Sequence, residues 1–204
     1  KTMKCYKVIS LTLLLLAANS VSAQRYMRVW QKGESSRMAM TDILYSQGGS
    51  LITVGDSAYA TADVDSITMV RTITVDFKDN KATVNLNNAP GVTYTAEGGH
   101  VVINNTNATE EMEFVLSGTS NDASLTYNGV YKCKFHLNNL NLTSTKGAAL
   151  DIQCGKRIDV FLMDGTTNSL TDCAGGLQKA AFYCKGHMEV TGGGSLTVAG
   201  HTRH

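Results

Sequence analysis

Between Arg71 and Ser117 the apolar and polar residues alternate with a period of two. In RTITVDFKD, Ile73, Val75 and Phe77 fall on one face and Thr72, Thr74 and Asp76 on the other, and Val84 and Leu86 repeat the pattern in KATVNLNN. Such alternation describes half-buried strands and contains no competing helical period. VTYTAEGG, HVVINNT and MEFVLSGTS follow at short intervals, with DNK, NNAPG and EGG as the turns between strands. Beyond Gly129 the strands shorten and Gly, Asn and Thr mark corners. CKFHLNNLNL from Cys133, CGKRIDVFL from Cys154 and CKGHMEVTG from Cys184 superpose, with an apolar residue four places after each cysteine: Leu137, Ile158 and Met188. GAALDI from Gly147 and KAAFYC from Lys179 form a second layer, and GGSLTVAG from Gly193 adds a strand with Leu196 and Val198 inward.

Repeats of roughly 20 to 30 residues with about three short strands each are the unit of a solenoid. No unit buries its apolar face alone; stacked neighbours make one interior. The phrases repeat in the same chain direction, so the expected architecture is a parallel β-helix, with an antiparallel sandwich as the alternative. Inward ladders such as Val160 with Val190 follow, and stacked Asn amides bond each other at the corners.

The chain before Arg71 has a different texture. YMRVWQKGE and SSRMAM read as strands, SLITVGDSAYAT as a hairpin about Gly55-Asp56, and ADVDSITMV places Val64, Ile67 and Met69 inward. The 24–70 segment is therefore expected to be a small β module. Its phrase order resembles the short β module at the front of many secreted Bacteroidota-type proteins, ending in a DVDSITF-like phrase. Trp30 is read mainly as packing for this module, with a sugar platform as the other reading.

Residues 1–23 read as a signal peptide: Lys4 and Lys7, an apolar run from Val8 to Ala18, then Val21-Ser22-Ala23 with Gln24 as the mature start. The run is too short for a comfortable bilayer span, and no later stretch is apolar enough for one. Secretion, a periplasmic location or display at the cell surface is expected. The 18 Lys and Arg against 17 Asp and Glu include three lysines in this segment, leaving acids in slight excess beyond it. That balance argues against nucleic acid as a partner. Abundant Gly, Thr, Val, Asn and Ser with one Pro suit strands and turns.

DGTTNSLTD from Asp164, then KAAFYCKGHMEVTGGGSLTVAG, resembles the calcium-containing carbohydrate-binding β-helix family associated with polygalacturonate. The family's phrases occur here in order as Gly147–Ile152, Leu162–Asp172, Ala180–Cys184 and Gly192–Gly200, with LSGTSNDASLTYNG from Leu116 fitting the preceding coil. The resemblance implies a right-handed parallel β-helix, shaped like pectate lyases, over 71–204, with calcium sites and without established lyase chemistry. The loop after LTD is CAGGLQ, where the family usually carries an acidic insertion. Further coils are expected after His204, so the helix is read as C-terminally incomplete.

The function expected is a non-catalytic secreted carbohydrate-binding protein for acidic plant-type polysaccharide such as polygalacturonate (pectin), assisted by Ca2+. A polysaccharide lyase of the same fold, and a surface adhesin or structural solenoid, are the alternatives. Asp164, Asn168 and Asp172 offer oxygens for calcium, which takes six to eight; the other reading is a turn, a ladder amide and a local backbone bond. For sugar, Tyr183 is the outward member of the Phe182-Tyr183 pair, and Tyr131 is a second aromatic. Lys156, Arg157 and Lys185 are candidates to meet uronate carboxylates, Arg in a bidentate fork; Lys132 and Lys134 join them, and a solvated strand face is the plain alternative. No catalytic residue is assigned: His136, His187, His201 and His204 lack a metal spacing, and no Gly-x-Ser-x-Gly motif is present. Cys133, Cys154, Cys173 and Cys184 admit three disulfide pairings, Cys154–Cys184 among them, or a free ladder.

Overall fold

The structure is a computed structural model that describes residues 26–32, 34–39, 43–46, 48–178 and 180–201. The expected signal segment, Gly33, Lys179 and His204 lie outside the described residues. The described chain is almost entirely β-structure with one short 3-10 turn at Thr61–Asp63. None of its helices is long and apolar enough to cross a membrane.

The N-terminal part forms two small antiparallel sheets. Strands β1 (Tyr26–Gln31) and β2 (Glu34–Ala39) make a hairpin, followed by β3 (Ile43–Tyr45), β4 (Leu51–Val54), β5 (Ser57–Ala60) and β6 (Ser66–Val70). The sheet orders are β2-β1-β6 and β3-β4-β5. Gly55 takes φ +60 in the β4–β5 turn, where glycine carries no steric penalty. Met27, Val29, Ile52 and Val54 form the core, packed by Ile43, Tyr59, Val64 and Ile67. Trp30 stands outside this core, contrary to the packing role expected for it. Alternation along β1 sends Met27 and Val29 inward and Arg28 and Trp30 to the other face. There the Trp30 indole N–H donates to Thr68 Oγ1 at 3.0 Å.

Two antiparallel hairpins open the larger part: β7 (Thr72–Lys78) with β8 (Lys81–Asn85), and β9 (Val92–Glu97) with β10 (Gly99–Asn105). The chain then runs through β11 (Met112–Ser120), β12 (Ala123–Gly129), β13 (Cys133–Thr143), β14 (Leu150–Gln153), β15 (Ile158–Leu162), β16 (Thr167–Thr171), β17 (Phe182–Cys184), β18 (Met188–Gly192) and β19 (Ser195–Ala199). These strands join three parallel ladders in rotation. The first is β7-β11-β13-β15-β18, the second β10-β12-β14-β17, and the third the end of β13 with β16 and β19.

Inward residues stand over like residues. Phe114, Phe135, Val160 and Val190 form one row, and Val101, Leu125, Leu150 and Phe182 another. The rings of Phe114 and Phe135 stack at 4.9 Å, and Tyr127 meets both edge-on at 5.0 and 5.3 Å. This geometry is favourable for aromatic quadrupoles. The interior is continuous from Ile73 to Leu170, buried along its length. Asn128 Nδ2 donates to Asn104 Oδ1 at 2.9 Å, an amide ladder between register partners within β10 and β12 rather than at a corner.

The register keeps Ile158 beside Met188, as in the overlay, but departs from it at the cysteines. Cys133 lies beside Ile158, and Ile152 beside Cys184, so Cys154 is not the counterpart of either cysteine. Cys154 sits at the corner past β14 and its thiol donates to Tyr131 O at 3.3 Å. A slip by an even number of residues keeps the same side chains inward, so alternation alone cannot detect it. Cys133, Cys154 and Cys184 are free thiols, so the Cys154–Cys184 disulfide is not formed.

Candidate functional site

The outward residues of the first ladder form the floor of a groove. Register aligns Glu113, Lys134, Asp159 and Glu189 in one row and Val115, His136, Phe161 and Thr191 in the next. The rows follow from β-alternation: Ile158, Val160 and Leu162 point inward, which leaves Asp159 and Phe161 outward. A cavity of about 400 Å³ lies over them, edged by Arg28, Arg157 and Met163. A second cavity of about 570 Å³ shares Arg28 and Glu113 and continues between the N-terminal sheet and the ladder, past Trp30, Tyr131 and Lys132.

Charges along this groove are paired. Arg28 donates to Glu113 Oε1, and His136 Nε2 stands 3.3 Å from Glu113 Oε2. Arg28 Nη1 is also 3.6 Å from Glu111 Oε2. The Glu113 side chain is 1% exposed, so these contacts hold a carboxylate that would otherwise be expensive to bury. Further along, Arg157 Nε donates to Asp159 Oδ1 at 2.9 Å and its Nη2 to Glu189, and Lys134 Nζ lies 3.9 Å from Asp159 Oδ2. The Asp159 hydrogen bond, then the Asp159 and Glu189 charges, raise the Arg157 guanidinium pKa. Phe161 is a large apolar side chain in this charged lining, 37% exposed, with its ring 5.8 Å from that of His136. An exposed aromatic amid paired charges and hydrogen-bonding groups suits a sugar ring, apolar on one face and hydroxylated at its edge.

Four of the five sugar candidates meet at the corner leading into this ladder. Tyr131 is joined to the next passage of the chain through Cys154, and Lys156 and Arg157 lie in the β14–β15 turn. Lys185-Gly186 packs directly beneath: a Cβ on Gly186 would stand 2.2 Å from Lys156 O. Lys185 N donates to Ile152 O at 2.9 Å. Tyr183 is apart from these four, facing outward beside Asp151 on the second ladder. Burial there raises the Asp151 pKa, partly offset by the Gln153 amide that donates to it at 2.7 Å.

Asp164, Asn168 and Asp172 are not brought together. Asp164 Oδ1 accepts from Gly193 N at 2.9 Å in an exposed turn. Asn168 lies inside the stack, accepting from Leu140 N at 2.9 Å and donating to Thr166 Oγ1 and Ser195 O. Asp172 follows β16, its Oδ1 accepting from His201 N at 2.5 Å. Asn168 and Asp172 are four residues apart along an extended segment, roughly 13 Å at strand rise, too far for one ion. Asp172 Oδ2 is buried without a hydrogen-bond partner among the described residues, but a single carboxylate oxygen falls well short of a calcium shell. Among the described residues no group of three His, Cys, Asp or Glu side chains is placed to hold a metal.

Phe161, Arg28 and Glu113 were not legible as site residues. The alternation in IDVFL does point Phe161 outward. The Arg28–Glu113 contact joins residues distant in sequence, and no local pattern announces it.

A profile of carbohydrate-binding domain-containing proteins matches residues 97–204, and the chain belongs to that family. A solved polysaccharide lyase-like protein from C. thermocellum, determined as a gadolinium derivative, is similar in fold at TM-score 0.50 and 24% identity. The similarity covers 63% of this chain and 52% of that one, so the match spans about half the length of that relative. No curated protein matches.

Proposed function

We propose that this protein is an exported carbohydrate-binding protein that does not cleave the glycan backbone and whose three ladders form a right-handed parallel β-helix. The glycan chain lies in the groove along the first ladder. The carrying observation is Phe161 with His136 beside it, set among Arg28, Lys134 and Arg157 in a chain of the carbohydrate-binding family. One sugar stacks on Phe161, and the second cavity offers Trp30 and Tyr131 for a further residue of the chain. Several weak subsites on a rigid floor add through their effective concentration. Lys156 and Lys185 at the adjoining corner favour an acidic polymer such as polygalacturonate, because an ammonium meets a carboxylate by a charge-assisted hydrogen bond.

The test is retention of the protein on immobilised polygalacturonate and on neutral glucans, each with calcium and with chelator. Retention on the acidic polymer without release of unsaturated products supports the proposal. Survival of retention in chelator is expected, since Asp164, Asn168 and Asp172 do not share an ion. Release of unsaturated products would favour a lyase, for which the groove has His136 as a base and Arg28 or Arg157 to neutralise a uronate. Failure of the folded protein to bind any glycan would leave an adhesin or structural role.

A further inference from the structure

On the second ladder, away from the groove, three side chains make a relay. His100 Nδ1 is 2.9 Å from Ser124 Oγ, and His100 Nε2 is 3.0 Å from Asp122 Oδ1. His100 and Ser124 are register partners on β10 and β12, both outward, and Asp122 sits in the turn just before β12. We propose that Ser124, His100 and Asp122 form a nucleophile–base–carboxylate triad that cleaves O-acyl esters, such as acyl groups carried by a bound polysaccharide.

The direction of each hydrogen bond follows from the chemistry. The Asp122 pKa is lowered, chiefly by the Thr145 hydroxyl that donates to the carboxylate, with burial opposing and the His100 charge adding to the lowering. An ionised carboxylate only accepts, so in the neutral imidazole Nε2 carries the proton and Nδ1 presents its lone pair. The Ser124 hydroxyl then donates to Nδ1, leaving the oxygen lone pairs free to attack. This is the logic of the serine triad with the two ring nitrogens exchanged.

The placement is braced from several sides. Asp122 N donates to Asn80 Oδ1 at 3.1 Å and to Ser120 Oγ at 3.2 Å. Gly99, the neighbour of His100, lets the Asp122 turn approach: a Cβ there would stand 2.4 Å from Asp122 O. His100 is 12% exposed in its side chain and Asp122 43%, so the cluster is sheltered yet open to solvent.

In the reaction, Ser124 Oγ bonds to the ester carbonyl carbon and its proton passes to His100 Nδ1. Collapse breaks the carbon–oxygen bond to the sugar, whose oxygen takes that proton and leaves as the alcohol. Water then attacks the acyl-serine, its proton moving through His100 to Ser124 Oγ, and the carboxylic acid departs. Lys146, 3.2 Å from Glu97 Oε2, adds to the lowering of the Asp122 pKa.

The natural ester depends on the carbohydrate reading, but the triad itself is tested without a glycan. The folded full chain is treated with a fluorophosphonate, which forms a Ser Oγ–P bond with loss of fluoride, and the adduct is located by peptide mass spectrometry. Labelling at Ser124 is expected, abolished in Ser124→Ala. Asp122→Asn keeps the side-chain size but offers an N–H to Nε2, reversing the tautomer, and is expected to slow labelling about tenfold or more with melting little changed. Absence of an adduct on Ser124 in the folded wild-type chain would overturn the proposal, as would wild-type labelling in folded Asp122→Asn. Should Asp122→Asn fail to fold, the wild-type labelling decides alone. Glycan retention is unaffected by either result.

Discussion

Arg28 of the N-terminal sheet and Glu113 of the first ladder share a hydrogen-bonded ion pair that links two separately packed cores. Arg28 emerges on the face of β1 opposite Met27 and Val29, and Glu113 on the outer face of β11. Their contact lies where the two cavities of the groove adjoin, so the small sheet does more than precede the ladder.

Removing Arg28 leaves the Glu113 carboxylate buried without its guanidinium. Arg28→Ala is expected to cost about 3–5 kcal/mol, the range for breaking a buried pair. Urea denaturation checks it. The double change Arg28→Met with Glu113→Leu is expected to recover much of the loss, because neither charge is then stranded. A loss below about 1 kcal/mol would place the pair among exposed salt bridges.

Phe161→Ala is expected to weaken glycan retention about tenfold, as truncation of a central anchor does. Melting should change little, since Phe161 lies outward on the groove floor. Phe161→Tyr keeps the platform and should retain binding. Affinity electrophoresis in polymer-containing gels distinguishes the two variants.

Gly118 takes φ +94 at the β11 irregularity, and a Cβ there would stand 2.0 Å from Phe77 O. Gly118→Ala therefore combines backbone strain with a clash against main chain. A loss of roughly 1–3 kcal/mol or more is expected in equilibrium unfolding.

Burial raises the Asp151 pKa in the folded protein, so the folded state binds its proton more tightly than the unfolded chain. The associated stabilisation is present at acid pH and is lost as pH rises through the folded pKa. Asp151→Asn retains an oxygen for the Gln153 amide and removes the charge. Its melting temperature should exceed wild type at neutral pH, and the gap should close below about pH 4.

Cys133 is 1% exposed and burial pushes its thiol well above the ordinary range. Iodoacetamide should leave Cys133 unmodified in the native protein and modify it in denaturant, as read by peptide mass spectrometry. Modification under native conditions would mean that the ladder opens locally around β13.

Strand existence and facing were legible because they depend on local alternation. Ile73, Val75 and Phe77 point inward as their period requires, and Val160 stands beside Val190. Trp30 shows where that reading gave way. Its size suggested core packing, but its place between Val29 and Gln31 put it on the opposite face of β1.

By itself the sequence determined an all-β chain, the inward set of the ladder strands, the glycine and asparagine turns, and a resemblance to carbohydrate-binding proteins. Those properties follow from side-chain period and local backbone preference, which neighbours in sequence supply. Only tertiary structure decided the register that sets Cys133 beside Ile158, the gathering of Arg28, Glu113 and His136, the separation of Asn168 from Asp172, and the meeting of Ser124, His100 and Asp122. Each depends on which strands lie side by side. A slip of two or four residues leaves the buried face unchanged, yet it changes every outward partner from which a site is built.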